Sequence, residues 1–332
     1  MKPKVSILVP VYNVSPYIER CAESIFNQTF KEIEYIFVND ATPDDSIEKL
    51  LKVIDNHPER KNNVKIIHHS SNLGLAVARN TALDSSTGNF IAVVDSDDFI
   101  EPNMIEVLYQ NAIVENADII VSDFIIEYPK RNKTTIEYIA DNKAYNIKNI
   151  IQHKLISSSL CNKLVNRNLY MRDGCRVPEN LNYCEDWHVM IRLFYFADKV
   201  VKIDQAFYHY VIYNINSITK RKDRMHFENV ILFWSLLDSF LKEHNEFEKY
   251  ETIMQLPKVK SKVSLMIDTH SSNLRKEFAD MFYEEETHCL KYLKRGEKLM
   301  LLLVRYRLFC LAQIFHNYLI AKNFIRRRLS IS

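Results

Sequence analysis

The stretch Phe90 to Pro102, FIAVVDSDDFIEP, decides how this chain is read. Five apolar residues run directly into Asp95, Ser96, Asp97 and Asp98, so three carboxylates crowd one end of a short apolar segment. An apolar run of this length, bounded by turn-forming residues, reads as a strand buried on both faces. Carboxylates so close together repel one another unless a cation or hydrogen-bond donors offset the repulsion.

Outward from this stretch the pattern repeats. VSILVPV, EYIFVN and VKIIHH are further strand-like runs, and SPYIERCAESIFNQ, SIEKLLKVID and LAVARNTALD carry helical periodicity between them. Val/Ile-rich runs alternating with helices predict an α/β open sheet, mostly parallel, from Val5 to about Val121. Ser15 followed by Pro16, and Glu101 followed by Pro102, predict proline-led helix starts. ADIIVSDFIIE, the charged turn YPKRNKTT and IEYIA then predict an antiparallel hairpin that makes the sheet mixed. Beyond Lys220 the pattern is helical, with FENVILFWSLLDSFLKE the clearest amphipathic run, which predicts a domain of residues 1–220 and a helical region of 221–332.

Composition narrows the function. At 332 residues with 47% hydrophobic and 26% charged residues, the chain has ordinary globular composition, and a net charge of +2 gives no reason to expect nucleic acid. Six cysteines without a CxxC pair, and an N-terminus that runs straight into a strand, predict a reduced, cytoplasmic chain. Four glycines and no GxGxxG or GxxxxGK argue against dinucleotide and P-loop sites.

In an open α/β sheet, ligands bind beyond the carboxyl ends of the strands. The residues there are Pro10, Tyr12 and Asn13; Asp40, Asp44 and Asp45; His68, His69 and Asn72; and Asp95, Asp97 and Asp98. Hard oxygen ligands suit Mg2+ or Mn2+, and Mg2+ keeps few protein ligands while sharing substrate phosphates, so a nucleoside diphosphate group is the expected companion. The competing reading is that Asp and Ser after a strand form turns or cap the next helix. Paired histidines at a strand end point to opposite faces, which argues against zinc.

The ordered set VSILVPVYN, VNDATPDDS, NLGLAVARN, DSDD, NKL (Asn162 to Leu164) and CEDW (Cys184 to Trp187) resembles family 2 glycosyltransferases of the GT-A fold, over about two thirds of the chain. The resemblance implies an inverting transferase that moves a sugar from a nucleotide-sugar, with UDP favoured, to a glycan or lipid-linked glycan hydroxyl in bacterial surface-polysaccharide assembly. It implies Pro10 and Tyr12 as the base wall, Asp40 as acceptor of the base N3–H, Arg79 on the donor nucleotide, Asp95 with Ser96 at the ribose, and Asp97 with Asp98 at the metal. It implies Asp186, beside Glu185, as general base, and Lys163 near the pyrophosphate. Trp187 is open between a sugar pocket and the core. FYHYVIYNINSIT matches the family's Tyr-rich strand, but Val211 and Ile212 stand where many members carry arginine, which leaves His209 or Lys220 for the diphosphate.

The apolar stretch from Leu299 to Ala321 is interrupted by Arg305, Arg307 and His316, which argues against a spanning helix. Two readings stand for it: packing against protein, or peripheral contact with the inner face of an anionic membrane through a helix ending in Arg326, Arg327 and Arg328. Two competing functions are a noncatalytic nucleotide-sugar binder on the same fold and a nucleotidyltransferase that releases pyrophosphate.

Overall fold

The computed structural model describes residues 2–214 and 222–329, with side chains in the last helix described through Lys322. The chain forms two compact units, Met1–Asn216 and Ser217–Ser332. The expected boundary at Lys220 lies outside the described residues.

In the first unit, β1 (Val5–Val11), β2 (Ile33–Asn39), β3 (Val64–His68) and β4 (Phe90–Val93) are parallel in the order β3-β2-β1-β4. β1 and β4 are buried throughout because helices cover both faces, which is why they read as unbroken apolar runs. The helices are α1 (Ile18–Phe26), α2 (Ser46–Asn56), the single turn α3 (Pro58–Lys61) and α4 (Leu75–Asp84). α1 shows the logic: Ile18, Cys21, Ala22, Ile25 and Phe26 share one buried face. It starts at Ile18 and not at Pro16, because the Ser15 hydroxyl that would cap a helix there is committed elsewhere, donating to Asp45 and accepting from Lys49 Nζ at 2.7 Å.

Beyond β4 the sheet turns mixed, as the hairpin predicts. After the two-residue strand β5 (Phe99–Ile100) and α5 (Met104–Val114) come β6 (Ile119–Tyr128) and β7 (Arg131–Thr135), paired antiparallel about Pro129 and Lys130. The turn is tighter than the sequence suggests, so RNKTT itself is the return strand. After α6 (Lys143–Ile151), β8 (Lys163–Asn166) inserts antiparallel between β4 and β6. Then α7 (Arg167–Tyr170), α8 (Glu185–Phe196) and β9 (Val200–Val211) follow, with β9 parallel to β6 and antiparallel to β5.

The second unit is helical: α9 (Arg224–Glu243), α10 (Phe247–Asp268), α11 (Ser272–Glu277), α12 (Tyr283–Cys289), α13 (Arg295–Arg305) and α14 (Phe309–Leu329). Val259, Val263, Cys289, Leu293 and Leu301 form a core cluster. The apolar stretch from Leu299 to Ala321 is two helices, broken where Arg307 adopts a φ of 60°. Its charges are used within this unit: Arg307 pairs with Asp280 at 2.7 Å, Arg305 donates to Thr287 Oγ1 at 3.0 Å, and buried His316 donates to the Ile267 carbonyl at 2.6 Å. Among the described residues no helix is long and apolar enough to cross a membrane. The Arg326, Arg327 and Arg328 side chains lie outside the described residues.

Candidate active site

Asp95 to Asp98 form a turn between β4 and β5, closed by the Asp98 N–H donating to the Asp95 carbonyl at 3.0 Å. The turn separates the carboxylates. Asp98 is fully buried and accepts from the Tyr208 hydroxyl (2.6 Å) and the Val211 N–H (2.7 Å). Tyr208 in turn accepts from the Asp95 N–H at 3.1 Å, so β9 holds the turn from behind. Asp97 is half-buried, its Oδ2 taking the Asn214 amide at 2.8 Å. Burial, then the neighbouring Asp95 charge, pushes the Asp97 carboxyl above its usual range, against the Asn214 hydrogen bond.

Asp95 points the third way, toward Arg79. This buried guanidinium collects carboxylates from separate elements: Nη2 donates to Asp95 at 3.0 Å, and Nη1 donates to Glu185 at 2.8 Å and also to Asp186. Glu185 and Asp186 open α8 directly after Cys184, which is left-handed at φ 68°. A non-glycine residue in that region costs about 1–3 kcal/mol and persists only where its surroundings hold it. Burial raises both acids; Arg79 opposes this, but one cation faces three anions. Asp186 is the more accessible, its side chain 22% exposed against 11% for Glu185.

At the neighbouring strand ends Tyr12 is 44% exposed, while Pro10 is buried within β1. Asp40 is 3% exposed and accepts from His69 Nδ1 (2.7 Å), the Leu73 N–H (2.8 Å) and the Gly74 N–H (2.8 Å). Its carboxylate therefore anchors the loop that launches α4. Gly74 sits there at φ 92°, and a Cβ on it would lie 2.5 Å from Asn182 Oδ1. Asp44 accepts from Ser15, Thr42 and Ser46; burial works against these bonds, yet they hold its carboxyl below the usual range.

Residues 6–174 match the profile described as Glycosyl transferase family 2. The chain belongs to that family. It is 33% identical to the putative glycosyltransferase EpsH of Bacillus subtilis (strain 168) over 255 residues, covering 75% of this chain and 72% of EpsH. It is 31% identical to the uncharacterized glycosyltransferase EpsJ of the same organism, over 66% of this chain and 64% of EpsJ. Among solved structures, S. aureus TarS 1–349 in complex with UDP-GlcNAc superposes with a TM-score of 0.67 at 17% identity, covering 96% of this chain and 92% of that one. The mixed, mostly parallel sheet is thus the GT-A-like fold, with a helical C-terminal region.

Several expected residues of this glycosyltransferase stand differently from the sequence reading. Asp98, expected at the metal, has one donor from within the fold on each of its oxygens. Arg79, expected on the nucleotide, pairs with carboxylates of the turn and of α8. Lys163, expected near the pyrophosphate, is fully buried on β8, donating to Ser159 O (2.7 Å), Asn162 Oδ1 (2.7 Å) and Ser157 O (3.2 Å), so it braces that loop. His209 is held on both ring nitrogens, by Glu127 at 2.7 Å and Glu101 at 2.8 Å. The Trp187 indole donates to the Ile150 carbonyl at 3.0 Å, placing it in the core. Ser96 is buried within the turn, and Lys220 lies outside the described residues.

Sequence reasoning missed Tyr208, Asn214 and Cys161, whose buried thiol donates to Asp95 Oδ2 at 3.1 Å. Asn214 was open to discovery, because it follows a strand that ends at the ligand edge. Tyr208 and Cys161 carry no such mark.

The donor set fits a hard divalent cation. Among the described residues Asp97 takes one side-chain donor, Asn214, and burial and Asp95 destabilise its carboxylate, which an added positive charge would relieve. Among the described residues no group of three or more His, Cys, Asp or Glu side chains gathers at one point.

Proposed function

We propose that this glycosyltransferase moves a sugar from a UDP-sugar to a glycan hydroxyl, with inversion and with Asp186 as base, in the assembly of a bacterial surface polysaccharide. The observation that carries this reading is the Arg79 bridge, which brings Asp186 from α8 to the same guanidinium as Asp95 of the DSDD turn. A base on one side and an electrophile-binding turn on the other is what a single displacement requires. Asp186 takes the acceptor proton as the acceptor oxygen attacks the anomeric carbon, and the nucleoside diphosphate leaves from the opposite face. Asp97 would hold Mn2+ or Mg2+, and the ion would supply positive charge against the negative charge developing on the departing diphosphate.

The UDP assignment draws support from the UDP-GlcNAc complex of TarS, since Asp40 already accepts three donors from the loop between β3 and α4. The exposed apolar residues Leu311, Ile314 and Tyr318 on α14, whose sequence has no acid and ends in Arg326, Arg327 and Arg328, support peripheral contact with an anionic membrane where a lipid-linked acceptor would lie. Flotation with anionic but not neutral vesicles is the expected result.

The test of the activity is nucleotide release from UDP-, GDP- and dTDP-sugars with Mn2+ or EDTA, on the natural protein and on Asp97→Ala. UDP release that EDTA and Asp97→Ala abolish is the expected outcome. Pyrophosphate release from a nucleoside triphosphate would overturn the reading in favour of a nucleotidyltransferase, and donor binding with no turnover in the presence of a glycan acceptor library would favour a binder.

A further inference from the structure

The β6–β7 turn, singled out by its charge in the sequence, has no part in the chemistry above. With Tyr213, just after β9, it lines a shallow, open cleft of about 720 Å³. Tyr213 ties the cleft to the catalytic turn: its hydroxyl accepts from Arg20 Nη1 at 2.9 Å, and Arg20 Nη2 donates to the Asp97 carbonyl at 3.3 Å. The next residue, Asn214, holds Asp97 Oδ2. Arg20 and Asn214 thus link the edge of the cleft to Asp97.

The cleft is cationic. Lys130 and Arg131 are exposed and have no acidic partner among the described residues, while Glu127, the acid that lines the cleft, is engaged by His209 Nδ1 at 2.7 Å. Arg131 is parked 5.1 Å from the centroid of the Tyr128 ring, and Tyr213 packs near Tyr17 at 6.3 Å. Tyrosine faces offer rigid, half-apolar surface to the C–H side of a sugar ring, and a guanidinium beside them matches a carboxylate or phosphate in two-pronged geometry.

We propose that the cleft between the β6–β7 turn and Tyr213 is an acceptor subsite for an anionic glycan, one that bears carboxylate or phosphate groups. The proposal rests on the transferase reading for the word acceptor, and its test is direct binding, which is independent of turnover.

The probes are fluorescent oligosaccharides of equal length: one with alternating uronates, one linked by phosphodiesters and one neutral. Anisotropy titrations are run on the natural protein and on Lys130→Glu/Arg131→Glu. An acidic probe should bind roughly tenfold or more tightly than the neutral one and lose at least that factor in the double variant, each tenfold being about 1.4 kcal/mol. Which acidic probe binds identifies the source of the charge. Equal binding of neutral and acidic probes, no binding of either acidic probe, or unchanged affinity in the double variant overturns the subsite. UDP release without acceptor should be unchanged in the double variant, since neither residue touches the DSDD turn or α8. Binding of an acidic probe by a natural protein that releases no nucleotide would keep the subsite and sink the transferase.

Discussion

Replacing Arg79 with methionine keeps most of the side chain's stem and deletes the guanidinium. Asp95, Glu185 and Asp186 are then left facing one another where the arginine side chain is 7% exposed. Removing one partner of a buried ion pair costs about 3–5 kcal/mol. The cost is not multiplied by three, because one guanidinium serves all three acids and Asp95, 29% exposed, is partly screened by water. For a unit of this size each kcal/mol lowers the melting temperature by about 2–4 °C, so a fall of roughly 6–20 °C is expected at neutral pH. The pH dependence has a definite sign. Burial already holds the Glu185 and Asp186 carboxyls above their ordinary values of 4.5 and 3.8 in the folded protein, and loss of the cation raises them further. A group with a raised folded pKa contributes stability that is fully present below its unfolded value and is lost as pH rises through the folded one. The deficit of Arg79→Met against the natural protein, read by calorimetry at pH 5 and pH 8, should therefore be larger at pH 8. A drop under about 2 °C at pH 8, or a deficit that grows on acidification, would refute the shared-guanidinium account.

Asp186→Asn should lower kcat by roughly a hundredfold or more with donor affinity kept, and unchanged turnover would remove Asp186 as base. Because burial raises the Asp186 carboxyl, the acid limb of the natural enzyme's rate profile should lie above the ordinary aspartate value of 3.8. Tyr208→Phe deletes the donor to Asp98 and the acceptor of the Asp95 N–H, and should cost about 1–3 kcal/mol in thermal unfolding. Lys163→Met leaves Ser157 O, Ser159 O and Asn162 Oδ1 without their donor and should lower the melting temperature with donor KM nearly constant. A large rise in donor KM at unchanged stability would return Lys163 to the pyrophosphate.

The chain's fold was largely legible before any coordinates. Unbroken runs such as VSILVPV could be buried only in a parallel sheet covered on both faces, and the strand-end rule led directly to Asp95, Asp97 and Tyr12. Helix starts were less legible: Ser15 has the chemistry of an N-cap, yet its hydroxyl is taken by Asp45 and Lys49, some thirty residues away, a preference that no local window contains. The single apolar stretch near the C-terminus also split in two, because Asp280, Thr287 and Ile267, remote in sequence, take up its charges.

Sequence by itself determined which residue types gather at the carboxyl edge of the sheet, since alternation of strand and helix fixes which end of each strand a residue occupies. What it left open was the direction in which each carboxylate points. Asp95, Asp97 and Asp98 are neighbours in the chain, but a turn sends them to Arg79 on α4, Asn214 just after β9 and Tyr208 on β9 respectively. A carboxylate's role follows from the donors around it, and those donors are brought together by packing of α4 and β9 against the turn over separations of 16 to 117 residues. That assembly is a property of the tertiary structure alone.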